Sequence, residues 1–97
     1  KPFTILSVLT WSWRKGWDTL LRAYYRAFIP SDNVLLVLLT YIPGARGYYT
    51  NIQILKDILT IKAEEGIAYH LPILLLTDSL PEEQMPSLYR AADVFFL

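Results

Sequence analysis

Four apolar runs are spaced along the chain and separated by segments of mixed polarity. They cover residues 3–9, 34–39, 73–76 and 94–97. Within each run the apolar side chains largely follow one another rather than alternating with polar ones, which is typical of strands buried on both faces of a parallel sheet. The pattern therefore predicts four short parallel strands.

The segments between these runs carry apolar residues at spacings of three and four, which mark one face of a helix. The first stripe is Trp17, Leu20, Leu21, Tyr24, Ala27 and Phe28, the second is Ile52, Leu55, Ile58 and Leu59, and the third is Met85, Leu88, Tyr89 and Ala92. Pro86 has to lie in the first turn of the third helix, because a proline further inside would bend it. The predicted order is β-α-β-α-β-α-β.

Strands that alternate with helices predict crossover connections and helices on both faces of a parallel sheet. We expect a Rossmann-like α/β fold with three layers (α/β/α) and a four-stranded parallel sheet in the order 3-2-1-4. Residues 1–97 would form one partial domain, a fragment of a longer protein, because the last strand-like run stands at the end of the sequence. Its unpaired apolar edge predicts self-association.

Composition removes several classes of function. The nine basic and nine acidic residues cancel, so we expect no nucleic-acid partner. The absence of cysteine excludes disulfides and thiolate metal sites, and no acidic pair has a histidine spaced for metal binding, so we expect no metal. The longest apolar run is far shorter than the roughly 20 residues that span a bilayer, which predicts no transmembrane segment. The compartment stays open, with the cytoplasmic side as the expectation.

The loop after the first strand, residues 10–17 (TWSWRKGW), is the main candidate site. Ligands of open parallel sheets bind beyond the carboxyl ends of the strands, where the connections reverse direction. A helix N-terminus provides N–H groups and partial positive charge there, Arg14 and Lys15 add full charges, and Gly16 lets a phosphate approach the backbone. The residues indicate a phosphate or pyrophosphate site, although two solvated cations at a helix start explain the spacing equally well.

Other polar and aromatic residues have simpler interpretations. Trp17 lies on the apolar stripe of the first helix and is expected in the core, whereas Trp11 and Trp13 either wall the loop or shape a cleft. His70 precedes the third strand, at the amino end of the sheet, and is interpreted as structural or solvated. The turn at residues 77–80 follows the third strand and is either an ordinary turn or part of a ligand site.

Two stretches resemble the donor-binding domain of the group 1 family of retaining glycosyltransferases, which have the two-domain GT-B architecture. In that family a strand leads into a loop ending in Lys-Gly and then a helix of the form x-D-x-L-L-x-A. The matching residues are Lys15, Gly16, Asp18, Leu20, Leu21 and Ala23. The run MPSLYRAADVFFL is similar to the family's L-P-x-L-Y-x-x-A-D-x-F, and it matches at Pro86, Leu88, Tyr89, Ala92, Asp93 and Phe95. The resemblance covers essentially the whole chain.

The resemblance implies a hexosyltransferase that moves a sugar from a nucleoside diphosphate sugar to an acceptor hydroxyl. The donor diphosphate would contact the loop residues Lys15, Arg14, Gly16 and Thr10, the last of which stands where the family carries a second cation. The nucleotide base would lie by Thr77, Asp78, Ser79 and Leu80. The nucleotide-sugar is the donor substrate, no cofactor is implied, and the catalytic residues are unknown. Residues 1–97 would need the rest of the parent glycosyltransferase as partner and would be inactive alone.

A second hypothesis belongs to a different class. The chain would be a non-catalytic α/β module that binds another protein through its Trp-rich loop and its apolar sheet edge. Thr10 favours this hypothesis, because loss of a cation is what a decayed donor site would show. A glutamate pair in the parent sequence, beyond a Pro-Ser that follows Leu97, would favour the enzyme instead.

Overall fold

The computed structural model describes residues 1–11, 16–41, 48–77 and 82–96. The elements in chain order are β1 (Phe3–Thr10), α1 (Trp17–Ala27), β2 (Val34–Tyr41), α2 (Tyr48–Glu64), β3 (Ile73–Leu76), a 3₁₀ turn (Glu82–Gln84), α3 (Met85–Ala91) and β4 (Val94–Phe96). Each apolar run of the sequence forms a strand, so the predicted β-α-β-α-β-α-β order is confirmed. Pro86 lies in the first turn of α3, where its missing N–H breaks no helical hydrogen bond.

The four strands form one parallel sheet in the order β3-β2-β1-β4, as predicted. β1 pairs with β2 along its whole length, from Phe3 opposite Val34 to Thr10 opposite Tyr41. β4 pairs with the other side of β1, where Ile5 lies opposite Val94. The chain adds β2 and β3 on one side of β1 and then adds β4 on its other side. The order of the strands therefore reverses between β1 and β4, although all four strands are parallel. This architecture is a small Rossmann-like α/β domain.

Helices α1 and α2 cover one face of the sheet. Their buried residues, together with strand residues of that face, make a single core cluster that includes Leu21 of α1, Ile54 of α2 and Leu36 and Leu38 of β2. Helix α3 lies on the opposite face, because the ring of Tyr89 packs edge-on at 5.2 Å against Phe95, which lies beside Leu6 rather than beside the clustered strand residues. The sheet therefore has helices on both sides, as the sequence predicted.

The core stripe of α2 differs from the predicted one. Ile54, Ile58 and Ile61 are buried, whereas Leu55 and Leu59 of the predicted stripe are 53% and 47% exposed. Both sets have helical spacing, so α2 carries two apolar stripes, and packing against α1 selects one of them. The other stripe is left beside the edge strand β3.

The sheet is also more exposed than unbroken apolar runs predict. On the face that carries α3, Leu6 and Val37 are buried, but Val8, Leu74 and Phe95 are more than a third exposed. The short helix α3 is too small to cover this face, and β3 and β4 are edge strands. The sequence predicted strands buried on both faces. This prediction holds in part for the central strands β1 and β2, and it is wrong for the edge strands β3 and β4.

No helix within the described ranges is both long and apolar enough to cross a bilayer. The finding agrees with the short apolar runs of the sequence, all of which form strands.

The exposed apolar edge at β4 predicts self-association of the chain. An open strand with apolar side chains pairs readily with a second copy, and a charge on that strand opposes pairing. We expect Phe95→Lys to weaken association about tenfold, equivalent to about 1.4 kcal/mol, in sedimentation velocity at increasing concentration. Ile29→Lys, at an exposed apolar position between α1 and β2, is the control. A chain that stays monomeric at high concentration contradicts the prediction.

Candidate functional site

The candidate site lies at the carboxyl end of β1, beside the reversal of strand order. Gly16 immediately precedes α1 and has a left-handed backbone, with φ 73° and ψ 25°. Its carbonyl accepts the first hydrogen bond of the helix, from Leu20 N–H at 3.0 Å. A side chain at Gly16 would meet no atom of the described residues within 4 Å, so the left-handed backbone conformation is what requires glycine here.

Two tryptophans close the base of the loop between β1 and α1. The rings of Trp11 and Trp17 are stacked, with centroids 4.7 Å apart and planes 13° apart. Both side chains are at least 95% buried. Because Trp11 follows β1 directly and Trp17 opens α1, their contact joins the two ends of the loop. Trp17 is in the core as predicted, and Trp11 is a core residue as well rather than the wall of an open cleft.

Trp11 is also fixed by a hydrogen bond from outside the loop. Its indole N–H donates to Asp57 Oδ2 of α2 at 2.9 Å, and the other oxygen of Asp57 accepts from Gln53 Nε2 at 3.1 Å. A buried indole N–H needs such a partner, because an unpaired donor in the core is costly. The bond attaches the start of the loop to α2, and nothing in the spacing of the sequence indicates it.

Most of the predicted donor-site residues lie outside the described residues. These are Arg14, Lys15, Asp78, Ser79 and Leu80, together with Trp13 of the same loop. The backbone of Thr10 ends β1 opposite Tyr41, and Gly16 follows the loop. Thr77 follows β3, where its hydroxyl donates to Asn51 Oδ1 at 2.9 Å. Among the described residues, Thr10 and Thr77 thus lie at the carboxyl edge of the sheet, at the ends of strands that are two apart, or about 10 Å.

A buried hydroxyl near this edge was not singled out from the sequence. Thr40 is the penultimate residue of β2, lies opposite Leu9 of β1 and is 4% exposed. Its Oγ1 has no hydrogen-bond partner among the described residues. Buried hydroxyls are normally paired, so Thr40 is an unusual polar position in the core at the carboxyl end of a central strand. The signal in the sequence was a threonine within the apolar run VLLVLLTY.

Asp93, one of the residues that carry the family resemblance, has a structural role at the opposite end of the sheet. Its Oδ2 accepts from the backbone N–H of Thr4 at 2.8 Å and from Lys1 Nζ at 3.0 Å. Its own N–H donates to the carbonyl of Thr4 at 2.8 Å. The hydrogen bond from Thr4 and the ammonium of Lys1 lower the pKa of Asp93, since both favour the carboxylate. The aspartate therefore joins the start of β4 to the start of β1.

His70 lies at the amino end of β3, as predicted, and it is exposed. Its Nδ1 is in contact with Nζ of Lys62, which is almost completely buried in the last turn of α2. Nothing in the sequence pattern indicates that Lys62 is buried. Within the described parts of the chain, no group of three histidine, aspartate or glutamate side chains could hold a metal ion.

Comparisons with known proteins found no family model, no curated protein and no solved structure that matches the chain.

The pKa of Asp93 predicts how acid affects the contact between β1 and β4. A carboxylate whose pKa is lower in the folded chain contributes stability above its unfolded pKa of about 4 and loses it as pH falls through the folded pKa. Asp93→Asn should therefore lower the free energy of unfolding at pH 7, and the difference from the unaltered chain should shrink below about pH 4. Urea titrations across pH test this, with Glu83→Gln as the control for loss of one exposed carboxylate. A difference that is constant with pH contradicts the assignment.

The bond between Trp11 and Asp57 predicts an energetic coupling between two distant positions. Trp11→Phe keeps an aromatic ring on Trp17 but removes the N–H donor, and Asp57→Ala removes the acceptor. The double-mutant cycle in urea should give a coupling of about 1–2 kcal/mol. A second cycle that combines Trp11→Phe with Gln53→Ala should give a smaller coupling, because Gln53 donates to the other oxygen of Asp57 and not to Trp11. A coupling near zero for the Trp11–Asp57 pair would show that the bond contributes nothing.

Proposed function

We propose that the chain is the donor-binding half-domain of a glycosyltransferase, which moves a hexosyl unit from a nucleoside diphosphate sugar to an acceptor hydroxyl. The observation that carries the proposal is the left-handed Gly16 at the start of α1, directly beyond the central strand β1. This is the position at which open parallel sheets bind phosphates, because the helix N-terminus faces the crevice beside the strand reversal. The family resemblance supports the same position, because the Lys-Gly pair and the helix sequence after it are the residues that resemble the glycosyltransferases.

Lys15 is assigned the central role in this site. It immediately precedes Gly16 in the sequence, so in the proposed site its ammonium would act on the same anion as the N-terminal end of α1. In sugar transfer the bond from the anomeric carbon to the diphosphate breaks, and negative charge builds up on the departing phosphate oxygens. A cation held at these oxygens stabilises the transition state more than the ground state, which is the condition for catalysis.

The contacts of the two tryptophans support the same assignment. A loop whose ends are joined by the Trp11–Trp17 stack and attached to α2 through Asp57 loses less conformational entropy when it binds a ligand. Binding groups are effective when they are held by packed and hydrogen-bonded neighbours.

The second candidate is a non-catalytic module that binds another protein. The exposed apolar residues Val8, Leu74 and Phe95 on one sheet face and its edges favour it. The tryptophans favour it less, because Trp11 and Trp17 are buried in this chain and so offer little surface to a partner. The two candidates place binding at different surfaces, and substitutions therefore separate them.

We expect Lys15→Ala in the parent enzyme to weaken binding of a nucleoside diphosphate by about ten- to a hundredfold, as for loss of one charge-assisted contact of about 1.5–3 kcal/mol. Thr10→Arg, which restores a cation at the end of β1, should strengthen binding. Calorimetric titration measures both effects. Lys56→Ala, which removes an exposed lysine from α2, is the control and should bind as the parent does.

Two outcomes separate the candidates. If Lys15→Ala binds the nucleotide as tightly as the parent, the donor-site assignment of the loop fails. If partner binding is lost in Phe95→Lys while Lys15→Ala is unaffected, the chain acts as a protein-binding module.

A further inference from the structure

A groove lies between α2 and the edge strand β3, and Tyr25 of α1 forms part of its lining. Its walls are Leu55 and Leu59 of α2 and Ile73 and Leu75 of β3, and its volume is about 200 Å³. Leu55 and Leu59 belong to the second apolar stripe of α2, which the core leaves exposed. The groove is therefore an apolar trough on the surface, away from the loop at the end of β1.

The polar residues that line the groove are His70 and Tyr25. The Nδ1 atom of His70 contacts Nζ of Lys62, and the same ammonium lies 5.5 Å from the centroid of the Tyr25 ring. An ammonium can only donate hydrogen bonds, so when Lys62 is charged Nδ1 accepts and the ring hydrogen is on Nε2. His70 then presents an N–H donor with a buried cation directly behind it.

Unlike Arg22 and Arg26 of α1, Lys62 has no carboxylate partner among the described residues. The carboxylates nearest in sequence are engaged by α1, since Glu64 pairs with Arg22 and Glu65 pairs with both Arg22 and Arg26. Burial lowers the pKa of Lys62, because desolvation penalises the ammonium. An anion at this end of the groove would offset that penalty.

We propose that the groove between α2 and β3 binds a medium-chain alkyl carboxylate, with the alkyl chain between the leucines of α2 and the edge strand and the carboxylate at His70 in front of Lys62. The buried ammonium of Lys62 favours an anion, and the apolar walls favour an alkyl chain. The groove is smaller than most ligand pockets, so it fits a single chain of about octanoate length better than a folded partner. This site is separate from the proposed donor site and does not depend on it.

The test is a titration of the ¹⁵N-labelled 97-residue chain, followed by NMR. We expect octanoate to give saturable shifts at Leu55, Leu59 and His70, and to bind about three- to tenfold more tightly than 1-octanol, because the charged contact is partly shared with water. Octylammonium should bind more weakly than either, and acetate, which lacks the alkyl chain, should give no saturable shifts.

Two pairs of variants locate the groups responsible. Lys62→Met keeps the buried stem and removes the charge, so octanoate and octanol should bind it equally, whereas Lys56→Met on the exposed side of α2 should keep the preference. Leu59→Gln should weaken both ligands, and Leu59→Met, which restores an apolar side chain, should recover them. Thermal unfolding of each variant shows whether it is folded.

Three results would overturn the proposal. They are the absence of saturable shifts with octanoate, equal binding of octanoate and octanol by the unaltered chain, and shifts centred on the sheet face of Val8 and Leu74 instead of the groove. If the folded Lys62→Met variant keeps the preference for octanoate, the assignment of the cation is wrong.

Discussion

The parallel pairing of β1 with β2 determines how the helices and the edge strands are arranged. It runs without interruption over the full length of both strands. Two parallel neighbours cannot be joined by a tight turn, so the chain between them has to cross one face of the sheet, and α1 makes that crossing. The same requirement places α2 beside α1, and the two helices bury one core with β2. β4 then occupies the free side of β1, which creates the reversal in strand order.

The candidate donor loop is a product of this arrangement. It begins where β1 ends and finishes where α1 begins, so its two ends are positioned by the central strand and by the first core helix. The Trp11–Trp17 stack converts those two ends into one packed unit, and Asp57 attaches the unit to α2. The groove beside β3 has a different origin. It exists because α2 carries two apolar stripes and packing against α1 buries only one of them.

The sequence predicts the elements and their order well, because both follow from local periodicity. The run at 73–76 coincides with β3, and the stripe through Leu20, Leu21 and Tyr24 is the buried face of α1. The choice between the two stripes of α2 could not be predicted, since each has the same period and only tertiary packing distinguishes them. Contacts between distant positions were equally hidden, including those of Asp93 with Thr4 and of Trp11 with Asp57.

The chemistry of the candidate site was predicted from residue types and from the family resemblance. The structure adds the backbone conformation at the start of α1. Gly16 was expected to allow a close approach of phosphate, and its left-handed backbone explains why the position requires glycine. The burial of Lys62 gave no signal, because a lysine in the last turn of a helix is usually solvated and favoured there by the helix dipole. Its position against Tyr25 and His70 depends on how α1, α2 and β3 meet.

The proposed function requires the start of α1, beyond β1, to bind the phosphates of a nucleotide. The most direct measurement is the backbone amide spectrum of the chain during titration with a nucleoside diphosphate and, separately, with the corresponding nucleoside. We expect the diphosphate to shift the amide of Gly16 and the indole N–H signal of Trp11 in a saturable manner, and the nucleoside alone to leave Gly16 unchanged. Saturable shifts confined to other surfaces, with the Gly16 amide unchanged by the diphosphate, would show that the phosphates bind elsewhere.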